Sequence, residues 1–272
     1  MLGRQPERAQ IEGLLDSIES GPAGLALEGA PGIGKTTVWR EAVEAGRRRG
    51  YAILVTAPGE PDARLAFAGL ADLIDEVPEP VLGALPQPQR RALRTAVGLD
   101  DDPASPSADQ QTLSRSVLSL LRTLAADAPL LVAIDDEQWL DHPSARVLGF
   151  ALNRLRTERV FVLLARRARS QSALWPQIAR SYAGTGMGLA TLEPLDEATL
   201  GALLRAEAGR SLPWRVLARI HAVSGGNPLY AVAIVRNLPD GVPRLREIEI
   251  PRTLTEAISA RLRALPPRTA DV

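Results

Sequence analysis

The segment Gly29-Ala30-Pro31-Gly32-Ile33-Gly34-Lys35-Thr36 leaves this chain few folds to choose from. It fits the pattern GxxxxGK[ST], a glycine-rich loop that needs a strand before it and a helix after it, so that backbone N–H groups and the positive end of the helix dipole meet at one anion. Both flanks are present: Gly24-Leu25-Ala26-Leu27-Glu28 reads as a short apolar strand and Thr37-Val38-Trp39-Arg40-Glu41-Ala42-Val43 as a helix. Lys35 is also the only lysine in 272 residues, although Lys and Arg together number 32. A compact ammonium reaches between phosphates in a tight loop where the wide arginine fork fits poorly. The loop is therefore expected to bind ATP or ADP through Gly29, Pro31, Gly32, Ile33, Gly34, Lys35, Thr36 and Thr37, with the Thr36 hydroxyl on Mg2+.

Apolar runs then alternate with helical stretches. Ala52-Ile53-Leu54-Val55, Leu130-Leu131-Val132-Ala133-Ile134, Val160-Phe161-Val162-Leu163-Leu164 and, more weakly, Met187-Gly188-Leu189-Ala190 are continuous rather than alternating. Strands buried on both faces of a parallel sheet look like this. The expected fold is α/β, a P-loop NTPase of the RecA/AAA-like kind with helices on both faces of a parallel sheet, followed by a smaller all-helical lid domain. A long helix is expected over residues 108–126, where Ser107 and Gln110 form a capping box and Leu113, Val117, Leu120, Leu121 and Leu124 share a face. Residues 78–106, with six prolines and the acidic run Asp100-Asp101-Asp102, are expected to form a mobile surface insertion with short helical pieces. After Pro194 the strand-like runs stop, and helices are expected over residues 197–208, 213–223, 229–238 and 254–265. The division expected is a P-loop core at 1–193, a helical lid at 194–250, and at 251–272 the start of a further helical or winged-helix region cut from a longer chain.

The strand at residues 130–134 runs into Asp135-Asp136, two carboxylates at the end of a buried strand, where ligands bind in open α/β sheets. Asp135 is expected to hold Mg2+ opposite Thr36, and Asp136 to orient or deprotonate the attacking water. Asp141 and Pro143 read as a helix start, an N-cap with proline in the first turn, and Trp139 as packing. Leu164-Ala165-Arg166-Arg167 offers an arginine to sense the terminal phosphate, Arg167 first and Arg166 second.

Charge and cysteine usage narrow the partners. Lys+Arg and Asp+Glu are both 32, so nothing draws the whole chain to nucleic acid. Zero cysteines exclude a disulfide framework and a thiolate metal site. His142 and His221 are too few and too far apart for a metal site. No signal-peptide pattern or membrane-length apolar run is present, so a soluble, cytoplasmic protein is expected.

Together these pieces resemble the ATPase module of the STAND class of signal-transduction NTPases, and most closely that of the large ATP-binding regulators of the LuxR family in bacteria. The resemblance rests on Leu2-Gly3-Arg4-Gln5-Pro6-Glu7, on Gly29 through Thr37, and on Asp135-Asp136-Glu137-Gln138-Trp139-Leu140-Asp141-His142-Pro143-Ser144. Leu192-Glu193-Pro194-Leu195 and Gly225-Gly226-Asn227-Pro228-Leu229 carry it further. It implies a slowly hydrolysing switch in which ATP, held between core and lid, favours an open, self-associating state and ADP a closed one. It also implies that Gly3 and Arg4 lie near the adenine, that Pro228 touches the nucleotide from the lid, and that Glu60 takes the place of a recurrent acidic residue. An inducer is implied but not identified, and DNA binding would belong to a C-terminal domain outside these residues. Other readings compete: a ring-forming AAA-type motor, for which Arg169 or Arg180 would supply the trans arginine; an ATPase module coupled to a cyclase or kinase output; a P-loop kinase or other small-molecule phosphotransferase, which the acid pair followed by a helical GGNPL domain fits poorly; and a nucleotide-free structural role, which the lone lysine argues against.

Overall fold

In the computed structural model, residues 3–16, 18, 21–98, 110–170, 173–181, 187–209, 211–236 and 238 are described. The expected helix at 254–265, the region 251–272, the Ser107 cap, the run at 100–102 and the side chain of Arg180 lie outside them. The chain divides into two compact units, an α/β unit of residues 6–29 and 35–191 and a helical unit of residues 1–5, 30–34 and 192 onward.

The α/β unit is built on a five-stranded parallel sheet of order β2-β3-β4-β1-β5, formed by Ala23–Gly29, Ala52–Thr56, Leu130–Ile134, Val160–Arg167 and Met187–Thr191 for β1 to β5. Every residue of β3 is buried, as is all of β4 up to Arg166, which is why their sequences are apolar without alternation. On one face, Val132, Ile134, Val162 and Leu164 join a core with α3 (Ala68–Asp75), α6 (Gln110–Asp127) and α7 (His142–Leu152). The opposite face receives α1 (Gln5–Asp16) and α2 (Lys35–Arg48): a Cβ on Gly46 of α2 would lie 3.1 Å from Leu131, so the helix backbone rides close on the sheet. Both faces are thus covered.

Residues 78–98 hold the short helical pieces expected of them but correct the expectation of a surface insertion. They form α4 (Glu79–Ala84) and α5 (Gln87–Ala96), each with proline in the first turn, and Leu82, Leu85 and Leu93 are buried in the main core beside Leu113, Val117 and Leu121 of α6. Proline at a first helical turn costs no hydrogen bond, so these prolines start helices rather than prevent them. Burying three leucines contributes on the order of 5 kcal/mol, enough to hold a proline-rich segment on the core.

The helical unit contains α9 (Glu197–Ala208), α10 (Trp214–Ser224) and α11 (Pro228–Arg236), whose Leu200, Leu204, Val216, Ile220, Tyr230 and Ile234 share a separate core. Asp196 caps α9, its carboxylate accepting from the Thr199 amide at 2.7 Å. Gly225 and Gly226 end α10 at φ 59° and 73°, and a Cβ on Gly226 would collide with the Leu195 carbonyl. Only glycine lets that turn pack there.

Candidate nucleotide-binding site

The glycine-rich pattern is one continuous segment whose ends and tip belong to different units: Gly29 and Lys35 to the α/β unit, Ala30–Gly34 to the helical unit. Each part has its own partners.

In the α/β unit, Gly29 ends β1, and Lys35 and Thr36 open α2, two residues earlier than the sequence pattern indicates. The Lys35 ammonium is buried and donates to the Gly29 carbonyl at 3.2 Å. Burial holds its pKa below the usual lysine range, while Asp136 and Asp135 push it up and Arg167 pushes it down. Asp135 follows β3 and is itself buried, its amide anchored to the Thr56 carbonyl at 3.0 Å. Burial pushes its pKa above the ordinary carboxylate value, against hydrogen bonds from the Thr36 hydroxyl and the Asp136 amide. The sheet therefore brings together Lys35, Thr36, Asp135, Asp136 and Arg167. Strand order explains the last of these, since β4 lies between β1 and β3 and its final residue emerges between the loop and the acid pair.

Arg166 and Arg167 have opposite fates because neighbouring strand residues face opposite ways. Arg166 is buried, its guanidinium 3.5 Å from Glu28 and donating to the Ser170 carbonyl at 3.2 Å. Arg167 stands over the Trp139 ring at 5.3 Å and acts on Lys35. Only Arg167 is left on the acid pair's side. Arg169 is exposed with φ 58°, and Glu60 and Thr37 are exposed as well.

The stretch from Asp136 to Ser144 contains more scaffold than its letters reveal. Asp136 sits at φ 45°, a left-handed conformation that costs a non-glycine residue energy and is held here by its surroundings. Gln138 is the brace: its Nε2 donates to Asp136 Oδ1 at 2.6 Å, and its Oε1 accepts from the Arg167 amide at 3.0 Å. Glu137, fully buried, accepts from the amides of Leu174 and Trp175 where α8 (Trp175–Ser181) begins. Asp141 caps α7 through the Ser144 amide at 2.9 Å, as the sequence indicates. It also accepts from the amides of Phe67 and Gly69, while Ser144 Oγ accepts from the Leu70 amide at 2.9 Å. One aspartate thus caps two helices, and α3, whose own N-cap Phe67 makes no side-chain bond, depends on it. Sequence spacing shows the local cap but not the distant one.

In the helical unit, the carbonyls of the loop tip are taken one after another. Asn227 Nδ2 donates to the Pro31 carbonyl at 2.9 Å, the Leu229 amide to that of Gly32 at 3.3 Å, and the Arg4 guanidinium to that of Ile33 at 2.7 Å. Arg4 is buried and bonds the Glu193 carbonyl at 2.8 Å as well. Gly3, at φ 73°, packs against Leu195 and Thr199. Pro228 is the first residue of α11, with Asn227 as its cap. His221 contacts the Leu195 carbonyl at 2.8 Å, a structural role. Asn227, Gln138 and the carbonyl-binding role of Arg4 are missed by sequence reasoning, although all three residues lie inside the motifs that carry the family resemblance.

Mg2+ fits the residues present. A buried carboxylate beside a hydroxyl is a hard oxygen pair, too small to enclose the ion alone and suited to a cation that takes its other ligands from phosphate and water. Among the described residues no cluster of three or more His, Cys, Asp or Glu forms a self-sufficient metal site. No helix among them is long and apolar enough to cross a membrane.

Comparison with solved structures supports the architecture. The Aeropyrum pernix ORC2 protein, solved as ADPNP-ADP complexes, is 18% identical with a TM-score of 0.57 over 99% of this chain and 70% of its own. Domain III of the Thermotoga maritima replication initiation protein DnaA is 17% identical with a TM-score of 0.52 over 90% of this chain and 89% of its own. A Pyrococcus horikoshii STAND protein with a tetratricopeptide repeat sensor is 15% identical with a TM-score of 0.50, covering 98% of this chain. This chain spans about a third of that protein, 33% of its length. Likeness at such identities establishes the fold alone. No curated protein matches the chain. Residues 1–165, more than half of the sequence, match the family described as AAA ATPase domain, and the chain belongs to that family.

Proposed function

We propose that this chain is the ATP-binding switch module of a signal-responsive bacterial transcriptional regulator of the LuxR type, hydrolysing ATP slowly. The supporting observation is electrostatic: burial drives Asp135 toward its neutral acid and Lys35 toward its neutral amine in the same part of the α/β unit. A ligand that brings a phosphate anion to the amine and a divalent cation to the acid relieves both. Mg2+ with ATP is such a ligand.

Thr36 and Asp135 would hold the ion. Bound there, Mg2+ would supply positive charge that offsets the charge of the phosphates. Lys35 offsets the charge on the same phosphates, and Arg167 meets the charge that develops on the γ group. Asp136, braced by Gln138, orients the attacking water and takes its proton as the oxygen bonds to the γ phosphorus and the bond to ADP breaks. The Gln138 hydrogen bond holds the carboxylate in one place and so limits its search among rotamers.

A switch further requires that ATP and ADP differ in affinity for two states. We assign residues 1–193 to the core, 194–250 to the lid and 251–272 to the start of a further region. ATP would favour self-association, an inducer would bias the states, and DNA would be contacted by a domain outside these residues. Calorimetry on Lys35→Ala tests the foundation: ATP affinity is expected to fall at least about a hundredfold, the loss of a buried charge–phosphate contact. ATP binding as tight as that of the unaltered protein means the site is misassigned. Turnover above about 1 per second, rising steeply with protein concentration, would favour a motor over a switch.

A further inference from the structure

We infer that Asn227 is a positioning residue of the phosphate loop, aiming its amides by holding a carbonyl on their far side. The inference rests on the nucleotide reading above and assigns that site a residue outside the glycine-rich pattern.

In a trans peptide, the carbonyl of one residue and the N–H of the next point in opposite directions. Fixing the carbonyls of Pro31, Gly32 and Ile33 therefore fixes the direction of the N–H groups of Gly32, Ile33 and Gly34. Ile33 N–H is already used within the loop, reaching the Ala30 carbonyl at 3.3 Å. Among the described residues, the amides of Gly32 and Gly34 donate to no protein acceptor. Both glycines have positive φ, 75° and 106°, a conformation that gathers successive N–H groups into an anion-binding concavity. The two amides free to meet a phosphate are thus carried by peptide planes whose carbonyls are held by Asn227 and Arg4.

The Asn227 amide has one orientation. Its Oδ1 accepts from the Tyr230 N–H at 3.2 Å as the cap of α11, which leaves Nδ2 to donate to Pro31 at 2.9 Å; turning the amide over would break both bonds. Packing enforces the approach, because a Cβ on Gly32 would lie 2.8 Å from Leu229 Cβ and 3.0 Å from Asn227 Oδ1. Asparagine supplies the acceptor for the cap and the donor for the loop from two separate atoms, whereas a serine or threonine hydroxyl offers both only at one oxygen.

Two substitutions separate these roles. Asn227→Asp keeps the shape and the cap but cannot donate to a carbonyl; Asn227→Ser keeps a neutral cap and is too short to reach. Both are expected to retain the thermal midpoint of the nucleotide-free protein while lowering ATP and ADP affinity about tenfold, the value of one lost hydrogen bond that organises a charged ligand. The serine variant excludes charge repulsion as the cause. In 15N-glycine-labelled protein, ATP is expected to move the Gly32 and Gly34 amide signals downfield, and less so in both variants, a signature that a merely structural residue would not alter. ATP affinity within about twofold of the unaltered protein, with unchanged glycine shifts, overturns the inference. Lys35→Ala tells the two failures apart: loss of binding there with normal binding in the Asn227 variants sinks only the positioning role. Tight binding in Lys35→Ala sinks the nucleotide reading and this inference with it.

Discussion

Residues 135–144 of the α/β unit contribute through their side chains, whereas residues 225–229 of the helical unit contribute mostly through backbone and close packing. In the first stretch, Asp135 and Asp136 carry the proposed chemistry, while Glu137, Gln138, Asp141 and Ser144 spend their polar groups on backbone amides and on Asp136. In the second, two glycines turn the chain, an amide and a backbone N–H reach the loop, and Asn227 alone uses its side chain. Both stretches carry the same family resemblance, yet most of their letters are explained by hydrogen-bond satisfaction and steric fit rather than by contact with a nucleotide. A motif is thus a record of everything its segment must do, scaffold included.

The sharpest way to break this contrast is to remove chemistry without scaffold. Among residues with a side chain, Asn tolerates the left-handed conformation at φ 45° well, and it keeps the acceptor for Gln138. Asp136→Asn is therefore expected to lower phosphate release by about a hundredfold or more while leaving ATP affinity within a few-fold, measured by release assay and calorimetry. Comparable losses of affinity would make Asp136 part of the scaffold instead.

The converse removes scaffold without chemistry. Asp141→Ala leaves three backbone amides, those of Phe67, Gly69 and Ser144, without their acceptor. Urea unfolding is expected to show a loss of about 3 kcal/mol, with ATP affinity of the folded fraction unchanged. Gly226→Ala tests the backbone-built stretch: its φ of 73° and the Leu195 carbonyl in its way predict a loss of about 2 kcal/mol, confined to the helical unit in hydrogen exchange. A change spread over the α/β unit would contradict the separation of the two cores.

The smallest effect sharpens the electrostatic side. Burial raises the Asp135 pKa, so this carboxyl binds its proton more tightly folded than unfolded. Its stabilising contribution is complete below the unfolded value and is lost as pH rises through the raised folded value. At neutral pH, where the unfolded carboxyl is ionised, burying this acid is therefore a cost to the nucleotide-free fold. Asp135→Asn is expected to raise the urea midpoint slightly, more in neutral than in mildly acidic buffer, while weakening Mg2+-dependent nucleotide binding. A lowered midpoint at neutral pH would show that the carboxylate is satisfied without a cation.

Much of the fold was legible because strand burial and loop geometry are local properties. The apolar runs located all five strands, and the helices at 197–208 and 213–223 emerge at nearly those bounds as Glu197–Ala208 and Trp214–Ser224. The misreading of residues 78–98 has an equally physical origin. Proline content is local, but whether Leu82 and Leu93 find a core depends on where α6 lies. For the site, residue type and order indicated Lys35, Thr36, Asp135 and Asp136. They could not show that Arg166 is claimed by Glu28 while Arg167 stands over Trp139, since strand facing is settled only by sheet register.

By itself, then, the sequence determined a glycine-rich loop between strand and helix, an acid pair at a buried strand end, and a change from mixed to helical periodicity, because each depends on neighbours a few residues apart. The tertiary structure alone decided that one aspartate caps two helices and that an asparagine 196 positions beyond Pro31 holds its carbonyl. Hydrogen bonds of that kind join groups whose proximity is produced by packing, and packing is a property of the whole folded chain.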